Sequence, residues 1–112
     1  MGKTGVLGSF EEMVLLAILQ TDADAYAVSI RRELHGRTGT DVAMGAVYAT
    51  LDRLEAKGLV ASRVERRDGA PGRPRRYYRV LADGRAALAE TREIRGALWR
   101  GLTITPTGLS DP

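Results

Sequence analysis

The side chains with the clearest chemical potential are arginines gathered in one segment, RRDGAPGRPRRYYRV, at residues 66–80. Residues 63–79 hold seven arginines against two acids, whereas residues 1–62 hold six basic and eight acidic side chains and residues 80–112 hold four of each. The formal net charge of +3 therefore arises in this one stretch. Guanidinium groups bind phosphate oxygens through several N–H donors, so the pattern indicates a polyanion as partner. A solvated basic turn and an acidic protein partner are the alternatives.

The segment PGRP at residues 71–74 is a restricted corner with an arginine inside it. Proline fixes φ and glycine tolerates positive φ, so the chain is held extended at this turn. A narrow, A·T-rich minor groove has an enhanced negative potential that attracts an inserted arginine. We expect Arg73 to be that side chain, and Arg75 and Arg76 to contact the flanking phosphates.

The residues that enzymes use for covalent or metal-assisted chemistry are scarce. The chain has no cysteine and one histidine, which give no metal cluster of familiar spacing. No glycine-rich stretch leads into Gly-Lys-Ser/Thr, and no pair of acids has a recognisable catalytic arrangement. We therefore expect a protein that is not an enzyme and that needs no cofactor or metal.

Composition indicates one globular domain. With 112 residues, 44% of them hydrophobic and 28% charged, the chain can form one modest core. Its longest apolar run, Met13 to Leu19, covers seven residues, far fewer than the about 20 of a membrane span. The N-terminus has too short an apolar segment for a secretory signal. We expect a cytoplasmic protein with no membrane partner, which the lack of cysteine allows.

The first two helices can be placed from their boundary signals. SFEEMVLLAILQ begins with Ser9 and has Glu12 three residues later, which is capping-box spacing, and its apolar run predicts a central helix. Asp24 can cap a second helix from Ala25 to about Arg37, and Gly39 is its stop signal. Both helices precede the arginine-rich segment and should supply much of the core.

The third helix is predicted from about Met44 to Lys57, with Gly58 as its C-terminal signal. Its apolar stripe recurs at i, i+4 and i+7 and should face the core. The opposite face has small residues near its N-terminal end, which would let the helix approach another surface closely. Packing of the tyrosine and an ion pair of the arginine within the helix are the alternatives to contacts with phosphate. The stripe is Val47, Leu51 and Leu54, and the opposite face includes Gly45, Tyr48, Ala49 and Arg53.

Two extended segments follow, at residues 59–65 and 75–81, joined by the turn residues of DGAPG. They predict a β-hairpin directly after the third helix. Since Tyr77 and Tyr78 alternate in facing, one should pack and the other should reach outward. The order of the elements predicts a mainly α (α+β) fold, a winged helix-turn-helix with a two-stranded β wing. In a helix-turn-helix, the second helix lies in the major groove of double-stranded DNA.

A fourth helix is predicted from about Asp83 to Arg100. Its apolar stripe has little domain core left to cover, so we expect it to pair with a second subunit in a homodimer. Residues 1–81 would then form the DNA-binding domain, 82–102 the C-terminal dimerisation helix and 103–112 a loose tail. The predicted dimer contacts are Ala87, Leu88, Thr91, Ile94, Leu98 and Leu102.

MGAVYATLDRLEAKGLV followed by GRPRRYYRVLADG resembles the PadR family of bacterial winged-helix transcriptional regulators, and the resemblance extends from about Leu7 to Trp99. It implies a dimeric, operator-binding repressor with the third helix in the major groove and the wing along the minor groove or backbone. Some members hold aromatic compounds at the dimer interface, which makes Trp99 a candidate ligand contact; packing is the alternative. One departure is Ala43, where the family often has Ser or Thr, so Thr40 or Asp41 would have to cap the third helix.

A symmetric dimer of such a protein predicts an operator that is an inverted repeat, because its two recognition helices meet two half-sites. A protein-interaction module whose basic wing docks on an acidic partner is the alternative function. The predicted DNA contacts are Gly45, Tyr48, Ala49, Arg53, Arg73, Arg75, Arg76 and Tyr77.

Overall fold

A computed structural model describes residues 5–66 and 73–110. It confirms the mainly α winged helix-turn-helix, with a two-stranded antiparallel wing between the third and fourth helices. A second, smaller hairpin ends the chain. The elements are α1 (Ser9–Thr21), a 3-10 turn (Asp22–Asp24), α2 (Ala27–Thr38), α3 (Met44–Ala56), β1 (Val60–Glu65), β2 (Arg75–Val80), α4 (Ala82–Trp99), β3 (Thr103–Thr105) and β4 (Gly108–Ser110).

The core forms around α1, as its unbroken apolar run predicts. Val14 and Leu15 are fully buried, and they belong to one cluster with Ile30 of α2 and with α3. The predicted α3 stripe is confirmed, because all three of its side chains are fully buried in that cluster. Burying one aliphatic side chain of this size stabilises the fold by about 1.5–3 kcal/mol. This burial holds α3 against α1 and leaves its other face outward.

The predicted capping box at the start of α1 is wrong. Helical structure already includes Ser9, so Gly8 occupies the cap position, and no side chain caps that end. Glu12 instead forms an ion pair with Arg95 of α4, with 3.1 Å between Oε1 and Nε. The glutamate therefore ties two helices together.

The second helix begins two residues later than predicted, because the 3-10 turn takes up Asp22–Asp24. Ser29 organises this junction: its Oγ accepts a hydrogen bond from the Tyr26 N–H at 2.9 Å and donates one to the Asp24 carbonyl at 2.5 Å. The predicted stop is confirmed, since Gly39 adopts a left-handed conformation with φ of 72°. The turn into α3 therefore starts at that glycine.

Among the described residues, no single helix is long and apolar enough to cross a membrane. The stretch from α1 through α2 meets the length and composition criteria only as a bent pair, with an angle of 119° at its break. Its most apolar side chains, such as Leu15, Ile18 and Ile30, lie in the core.

The wing lies against the start of α2. Strands β1 and β2 pair from Val60–Val80 to Glu65–Arg75, and on the other side of β2 the Tyr78 N–H donates to the Ala25 carbonyl at 2.8 Å. The expectation that one of the two adjacent tyrosines reaches outward is wrong, because Tyr77 and Tyr78 are each only 4% exposed. Both faces of β2 are covered here, since Tyr77 packs against the Tyr26 ring and Tyr78 belongs to the core cluster.

The first half of α4 packs on the core of its own chain. Ala87 is buried in the core, and buried Thr91 accepts a hydrogen bond from the Leu7 N–H at its Oγ1, at 3.1 Å. The prediction that Ala87 and Thr91 contact a second subunit is therefore wrong, since their own chain already covers them. Leu88 is partly buried against the same core, and Ile94 is half-buried.

Beyond Ile94 the apolar side chains of the predicted stripe are exposed to solvent. Leu98 is 74% exposed, Trp99 56% and Leu102 49%. The predicted loose tail is wrong for residues 103–110, which form the β3–β4 hairpin with Thr103 paired to Ser110. Ile104 on this hairpin is also exposed, so the C-terminal end of the chain presents apolar side chains to solvent.

Gly84 offers a test of the contact between α4 and the residues around Leu59 and Val80. A Cβ at this position would lie 2.3 Å from the Leu59 carbonyl oxygen and 2.7 Å from Cγ1 of Val80. Replacing Gly84 with alanine should lower the free energy of unfolding by about 1–3 kcal/mol, because backbone must move to accept the methyl group. Gly96→Ala is the matched control, since no atom lies within 4 Å of its Cβ position. That change should raise the free energy by up to about 1 kcal/mol. Equal free energies from urea titrations of both variants would contradict the contact.

Candidate nucleic-acid interface

The exposed face of α3 is the one that the sequence predicted. Burial of the apolar stripe turns Gly45, Tyr48, Ala49 and Arg53 outward, and Tyr48 is 52% exposed. Tyr48 is thus not a core residue. Arg53 donates a hydrogen bond from Nη2 to Oγ1 of Thr50 at 3.0 Å. Its partner within the helix is therefore a hydroxyl group, whereas the alternative considered from the sequence was an ion pair. The face therefore presents two small residues, an exposed tyrosine and an arginine.

The N-terminus of α3 has no side-chain cap. Ala43 occupies the cap position without a side-chain hydrogen bond, and neither candidate replacement fills that role. Asp41 instead pairs with His35, with 3.2 Å between Oδ1 and Nδ1. Arg31 holds the preceding loop by donating from Nε to the Val42 carbonyl at 2.5 Å. The first N–H groups of α3 therefore keep the partial positive charge of an uncapped helix start.

The arginine-rich wing is described on both sides of its tip. Residues 67–72, which include Pro71 and Gly72 of the PGRP corner, lie outside the described residues. The extended shape predicted for that corner therefore stays a prediction. Arg66 and Arg73 on either side of the tip are exposed. Arg75 and Arg76 begin β2 and are also exposed.

A cleft of about 780 Å³ lies between the start of α2, Tyr48 of α3 and the wing. Five arginines and one glutamate line it, so its charge is strongly positive. Sequence reasoning missed Arg32 and Arg66 of this set, and also Tyr26. Arg32 lies on the exposed side of α2, and it joins this set because β2 folds against the start of α2. The charged residues are Arg32, Arg66, Arg73, Arg75, Arg76 and Glu65.

Two of the predicted phosphate contacts are held by intramolecular interactions. Arg76 donates from Nη1 to the Ser62 Oγ at 2.9 Å, and the Ser62 hydroxyl donates to Oε2 of Glu55 at 2.6 Å. This chain joins the wing to the C-terminal end of α3. Arg75 is held differently, with its guanidinium carbon 4.3 Å from the centroid of the Tyr26 ring. Both arginines therefore have restricted positions on the wall of the cleft.

The two wing tyrosines are buried and contribute packing. The Tyr77 ring meets Tyr26 edge-on with ring centroids 5.7 Å apart, so Tyr77 is not the exposed contact that was predicted. Burial raises the pKa of Tyr78, and Asp52 and Glu55 raise it further, against the lowering effect of Arg76. The Tyr78 phenol is therefore neutral at physiological pH.

Comparisons with known proteins agree with this architecture. The profile of the transcriptional regulator PadR-like family matches residues 15–90. Transcriptional regulator Rv3488 of Mycobacterium tuberculosis is 44% identical over 71 residues, which are 63% of this chain and 63% of that relative. The chain thus covers less than two thirds of that relative's length.

Two solved structures extend the match to three dimensions. A PadR family transcriptional regulator from Eggerthella lenta superposes with a TM-score of 0.66 at 28% identity, over 80% of this chain and 76% of that one. A PadR family transcription regulator from Clostridium difficile gives a TM-score of 0.61 at 26% identity, over 82% and 88% of the two chains. With its wing, its exposed third helix and a family profile covering most of its length, the chain belongs to the PadR-like family of transcriptional regulators.

Proposed function

We propose that this protein is a cytoplasmic, sequence-specific DNA-binding regulator that acts as a repressor. One observation carries the proposal: Tyr48, on the exposed face of α3, and the arginines of the wing line the same cleft. Membership in a family of transcriptional regulators supports it. An acidic protein surface could also meet the arginines, but it would not need a helix face of small residues beside them.

The geometry of duplex DNA accounts for both surfaces. A major groove about 12 Å wide admits one α-helix, and small residues at its leading end permit close approach to the base edges. Gly45 and Ala49 meet that requirement on α3. The strand of phosphates that separates major from minor groove would then pass through the cleft, opposite its arginines. Tyr48 lines the same cleft and can donate its hydroxyl to a phosphate.

The wing would supply contacts on the far side of that phosphate strand. Arg73 lies next to the wing tip and is exposed, which suits insertion into a narrow minor groove. Arg75 and Arg76, at the start of β2, line the same cleft and suit phosphate contacts. Arg53 keeps unused N–H donors beyond its bond to Thr50 and can add a further phosphate contact.

The free end of α4 is the proposed dimer contact. Twofold pairing would bury the exposed apolar side chains at positions 98, 99 and 102, with Ile94 and Leu88 at its edge. Leu16 and Leu19 of α1 are also exposed and could receive them. Trp99 would lie in this interface, either as packing or as a contact for an aromatic effector. The two α3 helices of the dimer would then bind an inverted repeat, with half-site centres about 34–36 Å or a multiple apart.

Replacing Ala49 with tryptophan tests the role of α3. A bulky side chain on the exposed face should block groove entry and reduce affinity by at least about tenfold for duplexes enriched from a random library. Thermal stability should stay unchanged because Ala49 is exposed. Ala89→Trp, at an exposed alanine on α4 away from this face, is the matched control and should retain binding. Unimpaired binding by the Ala49 variant would exclude this face.

Replacing Arg73 with alanine separates minor-groove insertion from a simple phosphate contact. The variant should lose more affinity on operators with A·T-rich flanks than on G·C-rich ones, because groove width and potential differ. The salt dependence of binding should fall by about 1 in slope on both duplexes. Titrations at matched salt with swapped flanks measure the difference, and Arg92→Ala on α4 is the control. Equal losses on both flanks would reduce Arg73 to a phosphate contact.

Replacing Leu98 with aspartate tests the dimer. Leu98 is 74% exposed within the protomer, so the change should leave the fold intact and produce monomers. Sedimentation at micromolar concentration measures the assembly. Fluorescence of Trp99, the single tryptophan, should shift to longer wavelength on dissociation. Ala89→Asp on an exposed part of α4 is the control. A wild-type protein that sediments as a monomer would contradict the proposal.

A further inference from the structure

Four side chains form a continuous stack where the wing meets α2. The guanidinium carbon of Arg75 lies 4.3 Å from the Tyr26 ring centroid. The Tyr26 and Tyr77 rings meet edge-on at 5.7 Å and 70°. At the other end, the guanidinium carbon of Arg63 lies 5.2 Å from the Tyr77 ring centroid. The order along the stack is therefore Arg75, Tyr26, Tyr77 and Arg63. An arginine lies at each end, and the two tyrosines lie between them.

The strand register explains why these residues meet. Arg75 and Tyr77 are two positions apart on β2 and share one face of the hairpin, and Arg63 is the cross-strand partner of Tyr77. The hydrogen bond from the Tyr78 N–H to the Ala25 carbonyl places this face beside Tyr26. The stack therefore follows from strand alternation and one edge contact between β2 and α2.

Stacking leaves the hydrogen-bonding edge of an arginine free. A guanidinium lies with its planar face on an aromatic ring, and its five N–H donors point outward in that plane. Within the described part of the chain, Arg75 makes no hydrogen bond or ion pair to another side chain. Arg75 lines the cleft together with Tyr26, Arg73 and Tyr48. Arg76, by contrast, already uses a donor on Ser62.

We propose that Tyr26 is a positioning residue for DNA binding, whose ring holds the Arg75 guanidinium ready for a backbone phosphate. The inference rests on the proposed DNA-binding function and adds the N-cap residue of α2, which lies outside both α3 and the wing. An unsupported arginine on an exposed strand must lose side-chain freedom when it binds phosphate. In this protein the ring of Tyr26 restricts that freedom before DNA arrives. The ring is what matters, and the Tyr26 hydroxyl is dispensable.

A double-mutant cycle tests whether Tyr26 acts through Arg75. The four proteins are wild type, Tyr26→Leu, Arg75→Ala and the double variant, each titrated with a short duplex enriched from a random library. Tyr26→Leu should weaken binding about fivefold in the wild-type background and leave it nearly unchanged when Arg75 is alanine. Tyr26→Phe keeps the ring and should bind like wild type. Equal losses from Tyr26→Leu in both backgrounds would overturn the proposal.

A second substitution keeps the test decisive if Tyr26→Leu unfolds the protein. Arg75→Lys retains the charge but lacks the planar group that stacks, so its affinity should fall close to that of Arg75→Ala. Arg76→Lys is the matched comparison and should lose less, since an ammonium can also donate to Ser62. Wild-type affinity in Arg75→Lys would overturn the proposal. Failure of the wild-type protein to enrich or bind any duplex would instead overturn the proposed function itself.

Discussion

The burial of one stripe on α3 determines the rest of the molecule. Val47, Leu51 and Leu54 are fully buried against the α1 core, and a chain of this size has no second core to offer them. Rotation of α3 about its axis would expose these side chains, so its small, tyrosine-bearing face must point outward. The chain leaving α3 then enters β1 at a fixed place, which brings the arginine-rich hairpin to the side of that exposed face.

The wing is part of the folded unit at its base. The backbone bond from Tyr78 to Ala25, the ring contact of Tyr77 with Tyr26, and the link through Ser62 attach it to both α2 and α3. These attachments explain why the arginines nearest the base have restricted positions. A fixed distance between helix face and arginines is what recognition of a rigid duplex requires, because the spacing between its two grooves is itself fixed.

Much of this arrangement could be predicted from residues alone, and the exceptions have physical causes. The outward face of α3 was predictable because apolar spacing fixes which side a helix buries. The burial of Tyr77 was not predictable from the sequence. The alternation of side chains along a strand assumes that one face meets solvent, whereas both faces of β2 are covered at this point. The apolar stripe of α4 indicates that Thr91 is covered by other residues. It does not indicate whether those residues belong to the same chain or to a second subunit. Short alternating segments such as TIT give too weak a signal to predict β3, although Thr103–Thr105 is a strand.

The most direct test of the central claim is an amide correlation NMR titration of the full chain with a duplex enriched from a random library. If α3 and the wing bind DNA, the largest shift changes fall on Gly45, Tyr48, Ala49 and Arg73. The amides of Leu16 and Leu34, which line a groove between α1 and α2, stay in place. Shift changes confined to that groove, or no changes at a concentration that saturates binding, would contradict the account.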